Sequence, residues 1–234
     1  RINDISGTFE PHTSDPAHID DMHGTPAFNL LGNAGYNRTG GAVQLTPDKY
    51  RQVGGIMSED KIDLTHDFNI AFDIFLGGKN LRGADGLAFV LHDDSRGSDA
   101  LGGFGGNFGA GGIKSGLGIE FDTYFSGRAV GDIAYDHTNF FDTDAAPTVR
   151  NVTAARALGN IEDGRWHAVE VNWNATAHTL SYSLDGTAMG SITEDIAAAY
   201  FDHSETVHFG VTASTGGLAN LQQVRFVSVD ALLV

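Results

Sequence analysis

The chain has 234 residues, 41% of them hydrophobic and 10% aromatic, which is enough to bury a sizeable core. Its 30 acidic residues against 14 basic ones give a net charge of -16, a balance that repels phosphate backbones and argues against nucleic acid as a partner. The lack of cysteine excludes disulfides, thiolate zinc sites and cysteine nucleophiles, and no apolar run is long enough for membrane insertion as a helix.

In chain order, the first confident strands are Phe68 to Phe75 and Gly86 to Leu91. Glycines then crowd the stretch from Gly102 to Gly112. Such a loop is either a plain surface connection or one whose bare backbone approaches a ligand closely. Leu117 to Tyr124 reads as the next strand, followed by His167 to Trp173 and Thr179 to Leu184, with Asp185-Gly186 closing a hairpin. A short helix is expected over Glu194 to Tyr200 with Thr193 as its N-cap. Val207 to Ala213 and Val224 to Val229 complete the set. In His167 to Trp173 and Val224 to Val229, apolar and polar residues largely alternate, as a strand with one buried face requires. Many strands with turn signals between them predict an all-β antiparallel sandwich. No interior linker, repeat or composition shift divides the chain, so one domain over 1–234 is expected. It opens at Arg1 without a signal-peptide pattern, so an excised domain of a larger secreted protein or a mature secreted product is expected.

The chemistry concentrates in GIEFDTYFSGRAVGDIAYDHTNF. Glu120 and Asp122 are two apart on a strand and so share a face; Asp132 and His137 follow. One reading is an ordinary strand with charges on its solvated face. The other is that three carboxylates and an imidazole converge on one point, where they repel each other unless a cation sits between them. Carboxylate oxygens suit Ca²⁺, and a His beside them suits a transition metal such as Mn²⁺. Asp93 with Asp94, and Asp142 with Asp144, are read as solvated loop charges rather than a further calcium site. His92 and His167 lie within strand patterns and are expected to be surface or satisfied histidines.

Four patches, in order, resemble the L-type (legume-like) lectins, especially the domains borne by bacterial adhesins: GADGLAFVLHDD, the glycine loop, GIEFDTY with its Asp-x₄-His, and VTASTGGLANLQQVRFVSV. The resemblance covers nearly the whole chain from about Phe28. It implies a concanavalin A-like jelly roll that binds carbohydrate without catalysis. The sugar ligands it implies are Asp85, preceded by a cis Ala84–Asp85 peptide, the backbone of Gly106, and Gly216, Gly217 and Leu218, with the Tyr124 ring stacking on the sugar. Calcium is implied at Asp122, the Tyr124 carbonyl, Ser126 and Asp132, and a second ion, Mn²⁺ or Ca²⁺, at Glu120, Asp122, Asp132 and His137. Ser126 stands where the family usually has Asn, which serves both calcium and sugar; a hydroxyl is shorter and offers fewer contacts. The segment from Asp122 to Asp132 is also about one residue longer than in the plant pattern, so Gly127 or Gly131 is an alternative carbonyl ligand.

The expected partners are therefore glycans on cell surfaces or polysaccharides, with a lean to mannose or glucose from Gly216-Gly217-Leu218 and fucose as an alternative. The expected location is extracellular or on a bacterial cell surface. Two competitors remain. One is a calcium-stabilised structural or protein-binding module that has lost the sugar. The other is a laminarinase-like glycoside hydrolase, whose strand carries a further Glu after Glu-x-Asp; here Thr123, Tyr124, Phe125 and Ser126 follow. Retaining hydrolysis needs two carboxyls about 5–5.5 Å apart.

Overall fold

Hydrophobic alternation in this chain resolves into two stacked antiparallel sheets in the computed structural model, which describes residues 27–37, 41–145 and 149–234. The front sheet runs β1 (Phe28–Gly32), β4 (Val53–Ser58), β15 (Thr206–Ser214), β7 (Gly86–His92), β8 (Gly116–Asp122), β9 (His137–Asp142) and β10 (Arg150–Asn151). Two short strands attach to it, β5 (Ile62–Asp63) on β15 and β11 (Arg156–Ala157) on β9. The back sheet runs β14 (Thr187–Thr193), β13 (Thr179–Leu184), β12 (Trp166–Asn174), β6 (Phe68–Phe75), β16 (Gln222–Asp230), β3 (Ala42–Thr46) and β2 (Gly35–Asn37). The predicted all-β sandwich is the observed fold.

The back-sheet strand β12 buries alternate residues, with Val169, Val171 and Trp173 inward and Ala168 and Glu170 exposed. The central front strands differ. In β7 every residue is buried: Leu87, Phe89 and Leu91 join the core between the sheets, while Ala88 and Val90 pack outward on Phe108, Ala110 and Ile113. The glycine-rich stretch folds down as a cover for this outer face, held by Gly102 N–H to Gly109 O at 2.7 Å and Ala110 N–H to Asn107 O at 2.7 Å. It is a packed cover and not a loose surface loop.

Two boundaries depart from the sequence reading. Strand β8 stops at Asp122 because its last partner on β7 is Gly86, so Tyr124 lies in the following loop. The single α-helix among the described residues, α1 (Ile196–Tyr200), is capped by Asp195, whose side chain accepts from Ala198 N–H at 3.1 Å; Thr193 ends β14 instead. A Thr still paired in a ladder cannot take the cap geometry, and Asp195 stands free to do so.

Candidate functional site

The outer face of the front sheet gathers the acidic cluster by strand register. Asp122 on β8 sits directly opposite His137 on β9, and Glu120, two residues back, shares Asp122's face. Asp132 arrives from the loop between those strands. His137 Nε2 lies 3.5 Å from Asp122 Oδ2, 3.7 Å from Glu120 Oε1 and 3.7 Å from Asp132 Oδ1. All four side chains are buried. These separations exceed good hydrogen bonds, and they match neighbouring ligands of one ion with bonds of about 2.0–2.6 Å.

Three observations show that the residues fit a metal. Glu120, Asp122 and His137 can each offer one ligand atom with all such atoms within 4.8 Å of one another. Glu120 Oε2 and His137 Nε2 are buried without a hydrogen-bond partner among the described residues. His137 Nδ1 faces the Tyr135 carbonyl at 2.9 Å, which fixes the proton on Nδ1 and leaves the Nε2 lone pair free toward the carboxylates. The electrostatics agree. Burial, with the charge of Asp132, pushes the Glu120 carboxyl up to about 8. Burial and the Glu120 charge raise Asp122 as well. Burial pulls His137 down, yet Asp132 and Asp122 outweigh it and the imidazole is raised. Such a cluster holds its charges at neutral pH only with a cation in place.

The loop after β8 wraps this cluster with its own backbone. Tyr124 N–H donates to Asp122 Oδ1 at 2.7 Å and Ser126 N–H donates to Asp132 Oδ2 at 2.7 Å. A cavity of about 200 Å³ opens above, lined by Gly106, Asn107, Glu120, Asp122, Ser126 and Asp132 among others.

Asp85 stands beside it, one residue before β7. The Ala84–Asp85 peptide is cis. Asp85 N–H donates to Ser214 O at 3.0 Å, and Asp85 O accepts from Thr123 N–H at 3.1 Å. The Asp85 backbone thus joins the end of β15 to the loop after β8, while its Oδ2 is buried with no partner among the described residues. Burial raises this carboxyl to about 7. A Cβ on Gly216 would lie 3.1 Å from Asp85 Oδ2, so the bare Gly216 leaves that oxygen room for a ligand. A Cβ on Gly106 would come 3.4 Å from Ser126 Oγ. Gly217 has open space around it, and Leu218 O accepts from Gly216 N–H at 3.2 Å, shaping the loop. Tyr124 is exposed at 42%. Of the sequence-predicted residues, Gly106 and Ser126 therefore line the cavity over Glu120, Asp122 and Asp132, with His137 against those carboxylates, and Asp85 and Gly216 face each other next to Gly105.

This arrangement can be set beside known proteins. The legume lectin β-barrel domain matches residues 19–228. The chain belongs to the L-type lectin domain family. Among relatives of this lectin domain, the pesticidal crystal protein Cry22Aa of Bacillus thuringiensis is 28% identical over 88% of the chain and 32% of its own length. The serine-rich adhesin for platelets of Staphylococcus aureus strain MRSA252 is 30% identical over 83% of the chain and 16% of its own length. The lectin domain thus spans about a third or less of these curated relatives. In fold it is similar to the metal-free lectin I-B4 of Griffonia simplicifolia, with a TM-score of 0.69 and 22% identity over 88% of this chain and 93% of that one. Peanut lectin with a nine-residue peptide gives a TM-score of 0.68 and 23% identity over 92% and 95% of the two chains.

Elsewhere in the lectin domain the expectation for His167 holds and others are corrected. Asp94 is not a solvated loop charge: it is 4% exposed and takes both a paired hydrogen bond from Arg96 and the Lys114 N–H. Asp93 pairs with Lys61, Asp142 with Arg150 and Asp144 with Lys114, so local cations occupy all four carboxylates. His167 is satisfied, between Asp185 at 2.8 Å and Asp163 at 3.1 Å. His92 is buried at 0% exposure and stacks on His208 with ring centroids 5.4 Å apart; its Nδ1 accepts from Asp94 N–H and its Nε2 has no partner.

Sequence reasoning missed Glu162 altogether. This carboxyl is 1% exposed, accepts from Asn220 Nδ2 at 2.8 Å, and is raised to about 7 by burial. A Cβ at Gly83 would run into both Glu162 and Asn220, so the pair sits directly beneath the loop leading to Asp85. Asn160-Ile-Glu-Asp-Gly164 reads as an ordinary turn, and nothing in it signals a buried acid.

Proposed function

We propose that this lectin domain is a calcium-dependent, non-catalytic carbohydrate-binding module of a larger extracellular bacterial adhesin. It would hold a hexose of mannose or glucose configuration, with fucose as the alternative. The observation that carries the reading is the buried Asp85 Oδ2, unpartnered among the described residues, facing a glycine beside three clustered carboxylates that share one imidazole. A free acceptor of this kind suits two adjacent sugar hydroxyls.

Calcium, when bound, supplies the positive charge that lets Glu120, Asp122 and Asp132 remain ionised together. Asp122, Asp132, the Tyr124 carbonyl and Ser126 would hold it, and the inner position at Glu120, Asp122, Asp132 and His137 would take Mn²⁺ or a second Ca²⁺. The protein's own part is positioning. The loop after Asp122 carries Thr123 N–H to Asp85, so fixing that loop fixes the sugar acceptor. Gly106 and Gly216 to Leu218 would supply backbone contacts, Tyr124 a face for the sugar ring, and Ser126 a hydroxyl. With Glu120 and Asp122 committed to the cluster, neither is free as acid or nucleophile. A single shallow site of this kind binds on the order of 1 mM, about 4 kcal/mol, and gains useful avidity from many copies.

The test is a glycan array in millimolar calcium, with Asp85→Ala and chelated protein alongside. Binding to defined hexosides that disappears in both controls supports the reading. Silence from folded protein favours the competing reading, a calcium-stabilised module in which Ser126 has cost the site its sugar.

A further inference from the structure

The lectin domain pairs its cations economically, and the exceptions are not scattered. Of the 14 Lys and Arg residues, Arg1 and Arg38 lie outside the described residues, which leaves twelve. Lys61, Lys79, Arg96, Lys114, Arg150, Arg165 and Arg225 each form an ion pair with an aspartate. Arg156 donates to the carbonyls of Ala188 and Met189. The remaining four, Lys49, Arg51, Arg82 and Arg128, are exposed and their side chains find no partner among the described residues.

All four stand on loops that surround Asp85. Arg82 precedes it by three residues and Arg128 follows Ser126 by two. Lys49 and Arg51 belong to a turn fastened to the end of β15: Arg51 N–H donates to Gly216 O at 3.1 Å, Thr215 Oγ1 donates to Lys49 O at 2.6 Å, and Thr215 N–H donates to Gln52 O at 2.9 Å. That turn therefore flanks the glycine facing Asp85 Oδ2. In a chain of net charge -16, free cations are expected to be claimed by the many acids. The acids on these loops are already engaged: Asp48 pairs with Lys79, Asp122 and Asp132 accept backbone N–H groups in the cluster, and Asp85 faces the depression. The same rim carries exposed rings. Tyr50 is 66% exposed between Lys49 and Arg51, and Phe104 is 55% exposed next to Gly105, whose N–H donates to Thr215 O at 3.3 Å.

We infer that the natural ligand is an acidic glycan, an oligosaccharide carrying a carboxylate or sulfate, whose anionic group lies over the Lys49–Arg51 turn while a neutral ring occupies the Asp85 depression. The inference rests on the carbohydrate-binding reading above and extends it beyond one neutral hexose. Free guanidinium and ammonium groups match a carboxylate or sulfate, and the Tyr50 and Phe104 rings offer apolar faces to a second sugar unit. An acidic peptide would use the cations but not the buried Asp85 acceptor, so a glycan fits more of what is present.

The experiment measures binding, in saturating calcium, to one set of oligosaccharides in neutral, carboxylated (glucuronate- or sialate-ended) and sulfated forms. Wild type is compared with Lys49→Gln/Arg51→Gln, and with Arg165→Gln, a cation already paired elsewhere, as the charge control. The expected result is a preference for an acidic form of about tenfold or more, weakened by salt, absent in the double variant and kept in the control. The carboxylated and sulfated arms show which group is recognised. Equal binding of neutral and acidic forms, or a preference that survives the double variant, overturns this inference and leaves the carbohydrate-binding reading standing. Binding to no glycan overturns both. Binding to anionic vesicles or acidic peptides in place of any glycan also overturns both.

Discussion

Two buried carboxylate sites lie at opposite ends of the front sheet and are built on opposite principles. Beyond the end of β7, Asp94 is surrounded by protein donors, namely the Arg96 side chain and the N–H groups of Arg96 and Lys114. The Arg96 hydrogen bonds outweigh burial and hold its carboxyl well below the usual range. At the end of β8, Glu120 and Asp122 are buried with a like-charged Asp132 and one imidazole, and both carboxyls are raised. One end is complete within the chain; the other is complete only with something added. Buried charges are normally paired, and the acidic cluster short of cations is the end that the proposed function assigns to binding.

The largest expected effect breaks the incomplete end. Asp122→Asn should abolish calcium-dependent stabilisation and glycan binding, yet raise the melting temperature of the metal-free protein, because it removes a repelling charge. Wild type should gain about 2.7 kcal/mol at calcium a hundredfold above its Kd. A variant that still shifts with calcium would remove Asp122 from the metal site.

Arg96→Met attacks the complete end. It leaves Asp94 buried with only backbone donors, and it should cost about 2 kcal/mol in urea unfolding, discounted because the Arg96 side chain is 44% exposed. Calcium and glycan affinity should be unchanged. A loss of calcium affinity would mean the two ends are coupled.

A pH series sharpens the contrast. In metal-free protein, Glu120 titrates near 8 and Asp85 and Glu162 near 7, with Asp122 raised too, whereas unfolded carboxyls titrate near 4. The folded state then binds more protons between those values, so stability falls as pH rises through about 4 to 8. His92 acts oppositely: burial and His208 press it down to about 3, so the unfolded state gains a proton below about 6.5. Between pH 6 and 8 the carboxyls dominate, and the metal-free protein should melt higher at pH 6 than at pH 8. Saturating calcium should flatten the difference, and a metal-free melt that rises with pH would contradict the cluster's electrostatics.

The smallest effect concerns Ser126. Because its backbone N–H holds Asp132, Ser126→Ala should leave the melting temperature unchanged and weaken calcium or sugar by only about fivefold, on the order of 1 kcal/mol. A complete loss of sugar binding would make the hydroxyl indispensable.

Residue pattern alone determined much of this protein. The alternation in His167 to Trp173 survives as the one-sided strand β12, and the spacing of Glu120 and Asp122 put them on one face because side chains alternate along any strand. Local rules also explain the failures near them. Asp is a somewhat better cap than Thr by composition, and the extension of β14 through Thr193 settled the cap on Asp195. Tertiary structure alone decided that the glycine stretch is a packed cover on β7, that Asp94 is buried against the Lys114 N–H, and that Glu162 lies beneath the loop leading to Asp85, because each depends on partners distant in sequence. It also decided which cations remain free. Charge on a chain can be counted from its letters, but pairing is a property of three-dimensional proximity, and the four cations unpaired among the described residues form a rim only after the loops that carry them are brought together around Asp85.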